Sequence, residues 1–401
     1  MARLAEAKYN LAAHGVAFSF ALIVEAPIIS ITAATTALCK DAHSYRKLNG
    51  FVTILNIVIT VCMILMLLPP IFSTIMQDLI GLPDKITALT HTALIILLPW
   101  PSSIGFRRFY QGVLITRGLT QRITYGTLIR LAAMAVTALI LFSLEVVGAY
   151  TGAAALSMGV VSELIAVRLM AQKSIQTVKQ IQSDSNSEKE LSYGYIAKFY
   201  YPLALMSLLS LGVHPMVTFF MGKSRYPIES LAVLPVVNST VFMFRAIGLS
   251  YQETVIALLK NSRKNLQKLQ QFAIGMGIVL VAVLSLIAYT PFSTIWFHSI
   301  SGLDLHLTGF AGLPVRILAF MPALSVFITF QWAVLVHGGK TTHISLATAI
   351  EVSAILISLF ILTSFANMTG VTAAAVSFFL GRMISNLYLV PHTRRQISLL
   401  S

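Results

Sequence analysis

Phe272-Ala-Ile-Gly-Met-Gly-Ile-Val-Leu-Val-Ala-Val-Leu-Ser-Leu-Ile-Ala-Tyr289 runs without one charged side chain. A helix needs about 20 apolar residues to cross a hydrocarbon core of about 30 Å. Gly275-Met-Gly277 inside the run lacks the third glycine of a dinucleotide loop, so it reads as helix packing. Similar runs recur from end to end. They define eleven segments, A to K, at 11–38, 50–76, 87–112, 124–147, 149–173, 195–220, 229–258, 271–291, 311–336, 343–366 and 370–391. Open strand edges are not tolerated in lipid, so these are helices and the fold class is an all-α polytopic membrane protein.

The whole composition agrees. Of 401 residues 57% are hydrophobic and only 10% charged, against about 25% charged in a soluble domain. Mean hydropathy is +0.82. The net charge of +14 does not mark a nucleic-acid partner, because there is no basic tail and no basic patch interleaved with aromatics. The basic residues instead gather on alternate connections. Lys40, Arg46 and Lys47 follow segment A; Arg107, Arg108, Arg117 and Arg122 fall between C and D; Lys260, Arg263, Lys264 and Lys268 fall between G and H. The positive-inside rule places these connections and the C-terminus in the cytoplasm of a multi-pass membrane protein. Arg107-Arg108 and Arg117 with Arg122 are read as topology signals first and as contacts to anionic headgroups second. Cys39 and Cys62 are too few for a disulfide framework.

Prolines fall inside several segments: Pro27, Pro99, Pro101, Pro202, Pro215, Pro235 and Pro322. Each either kinks its helix or is simple irregularity. Residues 172–193 are polar and read as a cytoplasmic linker, so the domains are 1–175, a bundle of five helices; 176–193, the linker; and 194–401, a bundle of six.

The two halves repeat. A shift of 220 places Leu11-Ala12 on Leu231-Ala232 and Lys40 on Lys260; a shift of 221 places Pro101 on Pro322, Phe109 on Phe330 and Gly118 on Gly339. Ala153-Ala154-Ala155 falls on Ala373-Ala374-Ala375 with a shift of 220. Segments A–E therefore pair with G–K as parallel repeats, and F has no counterpart. A twelve-helix plan leaves the first helix, before Ala5, missing. Either the start is set too far downstream or the protein truly has eleven helices.

Ionisable residues within membrane helices are costly and face protein or water. Glu25 and Arg245 occupy equivalent repeat positions and are expected to line the route together with Asn238, Arg130, Arg316 and Arg382. A purely structural Glu25–Arg245 ion pair is the alternative. Arg130 and Arg316 also lie near helix ends, where they can snorkel. Glu25, Glu163, His214 and Glu351 are candidates for ion coupling. Glu163 and Arg168 are badly spaced for a helical pair, and Arg168 is expected to end its helix. Four intramembrane arginines favour an anion, because guanidinium binds carboxylate and phosphate in a forked geometry. No P-loop, zinc-protease helix or metal-ligand spacing is present in the sequence. No catalytic residue, metal or cofactor is expected, and energy comes from H⁺, Na⁺ or the substrate's own gradient.

Tyr201-Pro202-Leu203-Ala204-Leu205 and Leu313-Pro314-Val315-Arg316-Ile317 with Phe320-Met321-Pro322 resemble the multidrug/oligosaccharidyl-lipid/polysaccharide flippase superfamily, which includes the MATE exporters. The chain looks nearest to bacterial relatives of the progressive ankylosis protein, a resemblance that implies the plasma membrane, the inner membrane of a bacterium. The resemblance implies a MATE-like pair of helical bundles around a cleft and alternating access. It implies export of drugs, lipid-linked sugars or small anions such as pyrophosphate, nucleotides or citrate. A MATE-type cation-binding carboxylate has no clear counterpart in the first half. The expectation is therefore a non-enzymatic secondary transporter for a small anionic solute, monomeric in the bilayer. A lipid-linked or polysaccharide flippase, a drug/cation antiporter and a structural scaffold are the alternatives.

Overall fold

The computed structural model describes residues 4, 6–181, 191–261, 266–338 and 340–398. Among them are eleven helices long and apolar enough to cross a membrane. They are α1 (Ala7–Glu25, α1a, and Ile31–Leu38, α1b), α2 (Ala42–Met66), α3 (Asp84–Ile96, α3a, and Pro99–Thr116, α3b) and α4 (Gln121–Ser143). Then come α5 (Gly148–Gln180), α6 (Tyr193–Gly222), α7 (Pro227–Asn261) and α8 (Leu266–Tyr289). The last are α9 (Leu305–Leu318, α9a, and Met321–His337, α9b), α10 (Thr342–Ser364) and α11 (Gly370–Ser398).

Local chemistry moves some limits. Segment B, expected at 50–76, is Ala42–Met66. Asp41 caps it, accepting from Ser44 N–H at 2.8 Å, while Ser44 Oγ accepts from Asp41 N–H at 2.9 Å. Pro69-Pro70 prevents its continuation. Helix α5 runs past Arg168 to Gln180, so Arg168 does not end it and the first part of the expected linker is helical. Residues 182–190 of that linker lie outside the described residues. Of the prolines, Pro27, Pro99 and Pro322 sit at helix breaks, whereas Pro202, Pro215 and Pro235 lie within continuous helices.

The repeat is present element by element. Helix α4 spans 121–143 and α10 spans 342–364, a constant offset of 221. Between α2 and α3 a short helix passes into a π-helical turn at Thr74–Leu79; between α8 and α9 the same device occupies Ile295–Ile300. Each π turn ends at a glycine in left-handed backbone, Gly81 at φ 84° and Gly302 at φ 79°, a conformation that a Cβ would strain. Helix α3b closes with Leu119 N–H donating to Leu114 C=O at 3.0 Å, and α9b with Lys340 N–H donating to Leu335 C=O at 2.8 Å. The offset between α5 and α11 is 222, not the 220 read from their alanines. Gly159 faces Met134 and Arg130, and Gly381 faces Ile355 and Glu351.

Contact density divides the chain into two compact units, chiefly Val16–Pro215 and Met216–Ser401, the second including Ala7–Gly15. This division follows packing, whereas the 1–175, 176–193, 194–401 partition followed the repeat. In the second unit Lys8 pairs with Glu229 at 2.6 Å, and Gly15 leaves room for the Pro235 ring. In the first, Phe109, Val113, Leu48, Val52 and Val167 form a buried core. Outer faces stay apolar: Leu128, Leu131, Leu139 and Ile140 of α4 are exposed, as a lipid-facing helix requires.

Cys39, in the turn between α1 and α2, is buried, and burial pushes its thiol up to about 12. The thiolate is the reactive species. In a Cys62→Ser variant, maleimide at pH 7.5 is expected to leave Cys39 unlabelled until the protein is denatured. Rapid labelling of the folded protein would contradict this burial.

Candidate functional site

Helix α1 breaks at Ala26-Pro27-Ile28, and Glu25 is the last residue before the break. Proline lacks an N–H and clashes with the preceding turn, so carbonyls are freed and must find other donors. The Ile23 carbonyl is taken up by Ala26 N–H, and helix α6 sets polar groups against the break. Tyr200 donates its hydroxyl to Pro27 C=O. Ser30 and Ser207 share a hydrogen bond of 2.8 Å. Broken helices held in this way mark binding regions in many transporters.

Beside the break lies a charged cluster. Glu163 of α5 is fully buried and accepts from Arg107 at 2.5 Å and from Gln111 at 3.3 Å, both on α3b. Arg130 of α4 completes the group at 3.6 Å, close enough for attraction but too long for a hydrogen bond. Glu25 lies in the fields of Arg108, Arg107 and Arg130. The cluster thus holds three arginines against two carboxylates. Arg107 precedes the end of α3b, and Arg130 follows the start of α4, by about nine residues, roughly 13 Å of helix.

Arg107 and Arg108 correct the expectation that they belong to the cytoplasmic connection: both lie inside α3b, and Arg107 is buried. Their flanking Phe106 and Phe109 were the signal, because an arginine pair within an apolar helix needs a partner. Gln111 carried no such signal. The two arginines differ. Arg107 is committed to Glu163, whereas the Arg108 side chain makes no hydrogen bond or ion pair among the described residues. The buried Nε atoms of Arg107, Arg108 and Arg130 have no acceptor among the described residues.

The second unit repeats the arrangement with reversed polarity. Glu351 of α10 stands at the position equivalent to Arg130, and Arg382 of α11 pairs with it at 2.9 Å. Arg382 lies one helical turn before the position equivalent to Glu163. Gly381 permits this close approach, since a Cβ there would lie 3.0 Å from Glu351 C=O. Arg245, the counterpart of Glu25, donates from Nε to Ser325 at 3.0 Å and lies in the fields of Arg382 and Glu351. Gln331 donates to Asn386 at 2.9 Å in the same region. Neither Gln331 and Gln111 nor Ser325 and Asn386 stood out in the sequence.

Arg316 and Asn238 are not drawn into these clusters. Arg316 is exposed and donates to Ala288 C=O at 3.2 Å. Asn238 is half-buried and its side chain makes no hydrogen bond among the described residues. His214 is half-buried in α6. No group of His, Cys, Asp and Glu able to hold a metal occurs among the described residues.

Neither a protein-family model nor a curated protein matches the sequence. Solved structures match its fold. An inward-facing multidrug resistance MATE family transporter of the MOP superfamily is 16% identical, with a TM-score of 0.77 over 98% of this chain and 91% of that one. The lipid II flippase MurJ in an inward closed conformation is 15% identical, with a TM-score of 0.76 over 98% of this chain and 84% of that one. A MOP superfamily transporter from Pyrococcus furiosus is 15% identical, with a TM-score of 0.61 over 97% of this chain and 88% of that one. The chain therefore has the MATE-like fold that its motifs resemble.

Proposed function

We propose that the protein is a secondary transporter that moves a small anionic solute across the membrane by alternating access, without enzymatic chemistry. One observation carries this reading: the first unit places Arg107, Arg108 and Arg130 against only Glu25 and Glu163, within membrane-spanning helices. Glu163 is saturated by Arg107 and Gln111. Arg108 keeps its donors for something else. Unpaired guanidinium donors away from water are costly, and an anionic solute bearing carboxylate or phosphate relieves that cost. The second unit has the same sign, Arg245 and Arg382 against Glu351.

Glu25 is the residue proposed for ion coupling. It is buried at a helix break, and protonation or cation binding there changes the field at Arg108. Glu351, held by Arg382, and Glu163, held by Arg107, are assigned to positioning the arginines. The bilayer is the surrounding medium, with the basic connections and C-terminus proposed to face the cytoplasm.

A second reading, a flippase for a lipid-linked anion, is favoured by the fold likeness to MurJ. Purified protein in proteoliposomes distinguishes the two. Pyrophosphate, nucleotide, citrate and an organic cation are offered inside, with and without H⁺ and Na⁺ gradients, and a labelled polyprenyl pyrophosphate is offered in the bilayer. Saturable efflux of one or more soluble anions is expected. Movement of the polyprenyl lipid alone supports the flippase, and movement of the cation alone overturns the anionic assignment.

A further inference from the structure

A second cluster of positive charge lies in the second unit, where α9b stops, α10 starts and α11 ends. Leu335, Lys340, His343, His392, Arg395 and Gln396 enclose a cavity of 240 Å³. His392 follows Arg382 by about ten residues, roughly 15 Å along α11, so this is not the Arg245–Glu351–Arg382 region.

The turn after α9b builds one wall. Lys340 N–H bonds back to Leu335 C=O, which brings the chain directly into α10 and His343. His343 and His392 stack with ring centroids 3.9 Å apart and planes 21° from parallel. Tyr388 lies beside both, its hydroxyl 3.4 Å from His343 Nδ1 and its ring 5.0 Å from that of His392. Gln396 closes the cavity against Gly338, where a Cβ would collide with its amide.

Among the described residues no carboxylate lines this space. Two permanent cations, two stacked imidazoles and a carboxamide border it, and like charges held together are unfavourable until an anion shares them. The volume is below the roughly 300–1,000 Å³ of drug-sized sites, so it suits a compact group. Arginine and lysine together are a common phosphate-binding set.

We propose that this cavity binds a phosphate group, gripped by Lys340 and Arg395 with His343, His392 and Gln396 as further donors. The group belongs either to an anionic lipid headgroup or to a free phosphate. The site is separate from the transport route proposed above and does not depend on it.

Two arms test it, each with wild type, Arg395→Gln, His392→Gln and Lys340→Gln. In detergent, titration with inorganic phosphate is compared with chloride at equal ionic strength. In nanodiscs, thermal unfolding is compared between phosphatidylcholine alone and phosphatidylcholine with phosphatidic acid. Lys340 and Arg395 are exposed, so their variants are expected to unfold at the wild-type temperature without ligand. Loss of one charge-assisted bond is expected to weaken phosphate binding roughly tenfold or more. A variant-sensitive response only to phosphatidic acid identifies a lipid headgroup, and one only to inorganic phosphate identifies a free anion; both support the site. Responses that are absent, or equal in wild type and all folded variants, overturn it.

Discussion

Glu163→Ala is expected to lower the unfolding temperature in detergent by roughly 4–6 °C, from a loss of about 3–5 kcal/mol. The residue is fully buried, and its removal leaves Arg107, also buried, without its carboxylate. Gln111 loses its acceptor as well. An uncompensated cation inside a helical bundle costs more than the pair itself contributes, because the guanidinium has already been taken out of water. The double variant Arg107→Met/Glu163→Met should therefore lose less than Glu163→Ala alone. Thermal unfolding of the three proteins at pH 7 measures the difference. A Glu163→Ala protein as stable as wild type would show that Arg107 finds another anion or water, and the cluster would then not be a rigid element.

Arg108→Gln is expected to leave that framework standing and to raise the half-saturating concentration of the transported anion roughly 10–150-fold, the effect of one lost charge-assisted hydrogen bond. Arg108 contributes its backbone carbonyl to Thr32 at 3.1 Å, a contact that the substitution preserves. Its guanidinium makes no hydrogen bond or ion pair among the described residues, so the substitution breaks none. Flux in proteoliposomes with unfolding temperature measured in parallel separates binding from stability. Unchanged half-saturation in a well-folded variant would remove Arg108 from the route and, with it, the observation on which the anionic assignment rests.

Arg107 and Arg108 also show where reading from residues stops. Hydropathy locates helices because apolar length is a local property, and it placed all eleven. It gives no depth or facing direction, so an arginine pair nine residues before a helix end looks like part of a connection. What holds Arg107 in the core is Glu163, 56 residues away, and nothing in the intervening sequence announces that pairing. The register of α5 against α11 misled for a related reason. Alanine triplets match by chance in apolar sequence, whereas Gly159 and Gly381 are fixed by the side chains they must accommodate.

The charge reversal between the units was half legible. Glu25 against Arg245 and Arg130 against Glu351 follow from the repeat offset alone. That Glu351 takes its partner from Arg382, one turn away from the position of Glu163, is decided by helix packing. The break after Glu25 was suggested by Pro27, but Pro235 in the equivalent helix causes none. The difference lies in neighbours: Tyr200 and Ser207 receive the chain around Pro27.

The amino-acid sequence by itself determined the helical membrane class, the number of spans and their duplication, because these rest on composition and on spacing along one chain. Only the tertiary structure decided which charges neutralise one another and which remain unmatched. Ion pairing depends on distances between helices, and those are set by the small residues and packed side chains through which the helices meet.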